Sequence, residues 1–83
     1  MSDFAWYQFW VRHETPAVSV SVMKRCDPIL QRFGAVPCAP NGTPIKEADG
    51  TIEVRAYSKG GFEMAKHYLQ DQGFSVEREQ VNE

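Results

Sequence analysis

The sequence predicts an α+β domain: an antiparallel sheet with two helices on one face, in the order β-α-β-β-α-β. Three observations predict it. Two stretches repeat apolar residues at helical spacing, and each ends in a glycine, Gly34 or Gly73. Four shorter stretches read as extended chain. Asp49-Gly50 lies between two of these as a hairpin turn. With 83 residues the chain forms one small domain, residues 1–83. A 42% hydrophobic content and a net charge of −2 exclude a disordered chain and a generic nucleic-acid clamp.

The first strand is expected over Phe4 to His13. Phe4, Trp6, Tyr7, Phe9 and Trp10 lie within seven residues of one another, and the segment has no Gly or Pro. Ala5, Tyr7, Phe9 and Val11 share one face; Phe4, Trp6, Gln8, Trp10 and Arg12 share the other. Both faces are apolar, so the strand is expected to be central.

Thr15 to Gly34 is expected to be a helix, kinked or restarted at Pro28. Thr15-Pro16 suits a helix start, and Val18, Val22, Cys26, Ile29, Leu30 and Phe33 form a stripe. The alternation of Val18-Ser19-Val20-Ser21-Val22 supports a second reading, a β-hairpin start and the order ββαββαβ. Ala35 to Gly42, with Pro37 and Pro40, reads as extended chain or loop.

Thr43 to Glu47 and Thr51 to Ser58 read as a hairpin, with Pro44 confining the first strand to a sheet edge. Ser58 to Gln72 is the clearest helix, with Phe62, Ala65, Tyr68 and Leu69 inward and Gly60-Gly61 loosening its first turn. Phe74 to Glu79 is a last strand, with Phe74 and Val76 inward and Ser75, Glu77 and Glu79 outward. Residues 80–83 read as a polar tail.

This order resembles the ferredoxin-like split βαβ arrangement. The resemblance is one of element order, and that fold hosts many unrelated functions. It implies central first and third strands and one sheet face without helices. The expected core is then Tyr7, Phe9, Val11, Ile52, Val54, Phe74 and Val76. The open face carries Phe4, Trp6, Trp10, Arg12, Glu53, Arg55, Tyr57 and Glu77. If the first strand is turned over, Tyr7 and Phe9 are exposed instead. Exposed Trp, Tyr and Arg mark interaction surfaces, and these eight residues are the candidate partner-binding site. Glu53, Glu77 and Glu79 beside Trp6 and Trp10 also form an acidic patch suited to a partner's basic groove.

Other chemistry is weakly signalled. RNA-recognition sheets stack bases on aromatics, but here the corresponding third strand offers only Tyr57, and Glu53 opposes phosphate. From Asn41 onward five basic residues stand against eight acidic ones. Cys26, Cys38, His13 and His67 lack the paired spacings of a zinc site, so neither metal nor cofactor is expected. Cys26, on the helical stripe, reads as a buried small hydrophobe, and two cysteines do not make a disulfide framework. Ser58-Lys59-Gly60-Gly61 lacks the P-loop order and fits the start of a helix. His13-Glu14 are neighbours on a strand and point to opposite faces, so they are no acid–base pair by themselves.

A cytoplasmic protein is expected, with neither a leader nor a membrane segment. The leading functional expectation is a non-enzymatic protein-interaction module, a small regulator or inhibitor of the kind phages and mobile elements encode. It would bind a protein partner or itself. The alternatives are single-stranded nucleic-acid binding by aromatic stacking, and a small dimeric ligand-binding or enzyme domain with a pocket near His13 or Tyr57.

Overall fold

The computed structural model describes residues 6–37 and 44–82. Its elements are β1 (Trp6–His13), a 3₁₀ turn (Pro16–Val18), α1 (Ser19–Arg32), β2 (Ala35–Pro37), β3 (Ile52–Ala56), α2 (Lys59–Asp71) and β4 (Phe74–Asn82). They form one four-stranded antiparallel sheet in the order β2-β3-β1-β4. This is an α+β arrangement compatible with the ferredoxin-like type, and β1 and β3 are its central strands.

The core lies between sheet and helices. Phe9 and Val11 from β1, Ile52 and Val54 from β3, and Phe74 from β4 are buried against Val22, Met23, Cys26 and Leu30 of α1 and Phe62, Ala65 and Leu69 of α2. Tyr7 and Val76 pack at its margin, and Tyr7 stacks on Phe62 at 5.0 Å between centroids. The odd-numbered face of β1 is therefore the inner one, as expected. Met23, outside the expected stripe, is fully buried, whereas Val18 is exposed.

α1 is continuous through Pro28. Pro28 and Lys24 are both exposed, so the Lys24 carbonyl that loses its helical donor faces water. Val18 to Val22 runs from the 3₁₀ turn into α1, which removes the β-hairpin start. Thr15 makes no side-chain cap; Ser19 Oγ instead donates to the Pro16 carbonyl at 2.9 Å.

The second strand is Ala35–Pro37, not residues 43–47. Gly34, at φ +72°, closes α1 and turns the chain straight onto the sheet edge, and its carbonyl accepts from Tyr57 N–H. Of the expected hairpin, one bridge remains, between Lys46 and Ile52, with a turn at Asp49-Gly50. The edge proline is Pro37. Residues 38–43 lie outside the described residues.

β4 is longer than expected, because eight-residue β1 offers Gln8, Tyr7 and Trp6 as partners for Gln80, Val81 and Asn82. The expected tail at 80–82 is thus strand. β4 also carries a β-bulge: Val76 pairs with Val11 and Arg78 with Trp10, leaving Glu77 as an extra residue. The bulge inverts the alternation beyond it. Glu79 therefore turns to the helix side and pairs with Lys66 of α2 at 3.4 Å, so it does not join the expected acidic patch. Burial works against the Lys66 charge, but Glu63 and Glu79 outweigh it and hold the ammonium above its ordinary pKa. Among the described residues no helix is long and apolar enough to cross a membrane.

Candidate functional site: the helix-free face of the sheet

Even-numbered residues of β1 project from the side of the sheet that carries no helix. Trp6 and Trp10 stand one above the other with Gln8 between them, all half-buried. Their cross-strand neighbours are Arg55 and Glu53 of β3 on one side, and Asn82, Gln80 and Arg78 of β4 on the other. Cross-strand packing gives each tryptophan an arginine. The Arg55 guanidinium lies 4.1 Å from the Trp6 ring centroid, and that of Arg78 lies 4.6 Å from the Trp10 centroid. Such cation–π contacts at exposed sites contribute ~0.5–1 kcal/mol each. Their structural effect is to clamp two large rings on the rigid centre of the sheet.

The remaining charges pair among themselves. Gln8 Nε2 donates to Glu53, which also faces Arg55 at 3.7 Å. Arg12 pairs with Glu77 at 3.1 Å and donates to the Asp49 carbonyl at 2.7 Å. Arg78 reaches the Asp49 carboxylate at 3.5 Å. The same carboxylate accepts from the Thr51 hydroxyl at 2.6 Å and from its backbone N–H at 3.0 Å. Those two Thr51 bonds hold Asp49 below its ordinary pKa; desolvation opposes them, and the weaker attractions of Arg78 and Arg12 add to them. Three arginines (Arg12, Arg55, Arg78) thus balance three acids (Asp49, Glu53, Glu77).

Seven of the eight expected site residues fall within the described residues. Trp6, Trp10, Arg12, Glu53, Arg55 and Glu77 come together on the open face, while Tyr57 lies just beyond β3 and is exposed. Phe4 lies outside the described residues. Arg78 and Asp49 were not expected there. Strict alternation from Phe74 places Arg78 inward, and a charged residue at an inward position was the one sequence signal that the alternation breaks.

The other candidates hold structural roles. His13 is buried beneath β1's end, edge-on to Phe74 at 4.7 Å. Its Nδ1 accepts from Thr15 N–H at 2.9 Å, which leaves Nε2 to donate to the Gln72 carbonyl at 3.0 Å. The ring therefore ties β1 to the α2–β4 turn. Ser58 Oγ accepts from Gly61 N–H at 3.0 Å, so that segment caps α2. Cys26 is a buried free thiol, its pKa raised chiefly by burial; Cys38 lies outside the described residues. Among the described residues no cavity opens between sheet and helices, and no group of three or more His, Cys, Asp or Glu converges.

The chain matches no protein-family model, and comparison with curated proteins and with solved structures likewise finds no match.

Proposed function

We propose that the chain is a non-enzymatic protein-interaction module, a small regulator or inhibitor that grips a protein partner with the helix-free face of its sheet. The observation that carries this reading is the placement of Trp6 and Trp10. A domain this small needs its large apolar side chains inside, since it buries only about 60% of its unfolded surface. Yet both tryptophans are held on the side away from the helices, each under an arginine. Tryptophan and arginine on a rigid scaffold are the residue types that dominate binding hot spots. The balance of three arginines against three acids favours a protein surface of mixed charge over a polyanion.

Affinity capture with wild type and a Trp6→Ala/Trp10→Ala double variant tests it. A partner lost by the double variant, with its circular dichroism unchanged, supports the reading. A partner retained equally by both, or unfolding of the double variant, refutes it. The two arginine-capped rings also favour a second reading, base stacking by single-stranded nucleic acid. Titration with an oligonucleotide at two salt concentrations separates the two, because stacking clamped by arginines weakens as salt rises, and no binding at low salt removes it.

A further inference from the structure

We propose that a second copy of this chain pairs along β4, strand to strand and antiparallel, to extend the sheet across a two-fold axis. This contact is made by the outer edge of β4, which borders the open face through Arg78, Gln80 and Asn82, and it does not depend on what that face binds.

The two sheet edges are built differently. One is β2, three residues long and ending in Pro37, which cannot donate to a further strand. The other is β4, nine residues long, which pairs only with β1 among the described residues. Edge strands are commonly protected by bulges and charges. In β4 the bulge lies at Glu77, and the strand beyond it is regular. There Gln80, Val81 and Asn82 carry no charge, and Val81 is 53% exposed.

Side-chain chemistry then selects a register. A two-fold axis perpendicular to the sheet sets residues of like facing opposite each other. With the axis at Gln80, Arg78 faces Asn82 of the second copy, Glu79 faces Val81, and Gln80 faces Gln80. No ionised side chain opposes its like, and Glu79 is already paired with Lys66. On the helix side the two Val81 side chains become diagonal neighbours, as do the two Glu79 carboxylates, each beside the Lys66 of its own copy, and on the open side the Gln80 amides meet. Shifting the axis to Glu79 opposes two carboxylates, and shifting it to Arg78 opposes two guanidinium groups. Both are destabilising at the ~5 Å Cβ separation of cross-strand pairs. Moving it to Val81 leaves a described ladder of only three residues.

A five-residue ladder spans ~17 Å, so the contact belongs among small, transient interfaces. Sedimentation equilibrium of the full chain, from about 20 µM to about 2 mM, spans the affinities such interfaces show. The wild-type mass is expected to rise from one chain toward two. Gln80→Lys sets two ammonium groups together at the axis and is expected to keep the protein monomeric, with unchanged circular dichroism because Gln80 is exposed. Gln80→Glu is expected to do the same. Equimolar mixing of the two variants is expected to restore the dimer, since unlike charges then meet at the axis. A wild type that stays monomeric throughout overturns the proposal. So does a dimer that survives Gln80→Lys, a mixture that fails to dimerise, or a dimer lost with Trp10→Ala but kept with Gln80→Lys.

Discussion

Replacing Gly61 by alanine is expected to destabilise the fold, although alanine is the better helix former. A Cβ at Gly61 would stand 2.0 Å from the Phe33 carbonyl oxygen and 3.0 Å from Ser58 Oγ. The end of α1 meets the first turn of α2 there, so backbone must move by more than 1 Å to admit a methyl group at an ordinary separation of ~3.5 Å. Overpacking of this kind costs ~1–3 kcal/mol. Disturbing the Ser58 cap adds ~1 kcal/mol, and the gain in helix propensity returns ~1 kcal/mol. The net loss is ~1–3 kcal/mol, or roughly 4–24 °C in Tm at ~4–8 °C per kcal/mol for a domain this size. Gly60 is the internal control. It occupies the same helical turn, but nothing lies within 4 Å of its Cβ position. Gly60→Ala is expected to gain ~0.4–1 kcal/mol. Thermal melts followed by circular dichroism measure both. If Gly61→Ala melts as high as Gly60→Ala, the close approach of α1 to α2 is refuted.

Two further predictions concern ionisable groups. Asp49 is held below its ordinary value of 3.8 by Thr51, Arg78 and Arg12, so its charged form is favoured by folding. The stability it contributes is present above that value and is lost as pH falls through the folded pKa. Urea midpoints of wild type and Asp49→Asn are therefore expected to differ at pH 7 and converge in acid; a constant gap would refute the assignment. Cys26 has the opposite sign. Burial raises its pKa, so the neutral thiol is favoured by folding, and stability is intact below the ordinary value of 9.0 and declines as pH rises beyond it. In a Cys38→Ser variant, Cys26 is expected to react with a thiol reagent only as fast as the protein opens, so denaturant should accelerate it strongly. Rapid labelling of the native protein would show that Cys26 is not buried.

Much of the fold was legible because it rests on local periodicity. The stripe of Phe62, Ala65 and Leu69 states which side of α2 is apolar, and that is enough to orient it against the core. For β1, apolar on both faces, the alternation groups Phe9 with Val11 and Trp6 with Trp10, and packing against the helices selects the first pair as the inner one. The Val18 to Val22 alternation was misleading on the same ground: five residues of period two are overridden when Met23, Cys26 and Leu30 extend a helical face into the core. The position of β2 was hidden because three residues carry no readable period. Gly34 sets that position through a turn whose carbonyl is bound by Tyr57, on another strand.

The sequence by itself determined the α+β class, the central place of β1 and the sharing of one strand face by Trp6 and Trp10; that this face turns away from the core was decided by the packing of Phe9 and Val11 against the helices. Only the tertiary structure decided what surrounds those rings. The bulge at Glu77 arises from pairing between segments more than sixty residues apart, and it alone turns Arg78 onto Trp10 and Glu79 toward Lys66. The need for glycine at position 61 comes likewise from a carbonyl on another helix. Periodicity reports the face a residue turns to; a register shift or a backbone contact depends on a partner remote in the chain, and no local pattern encodes it.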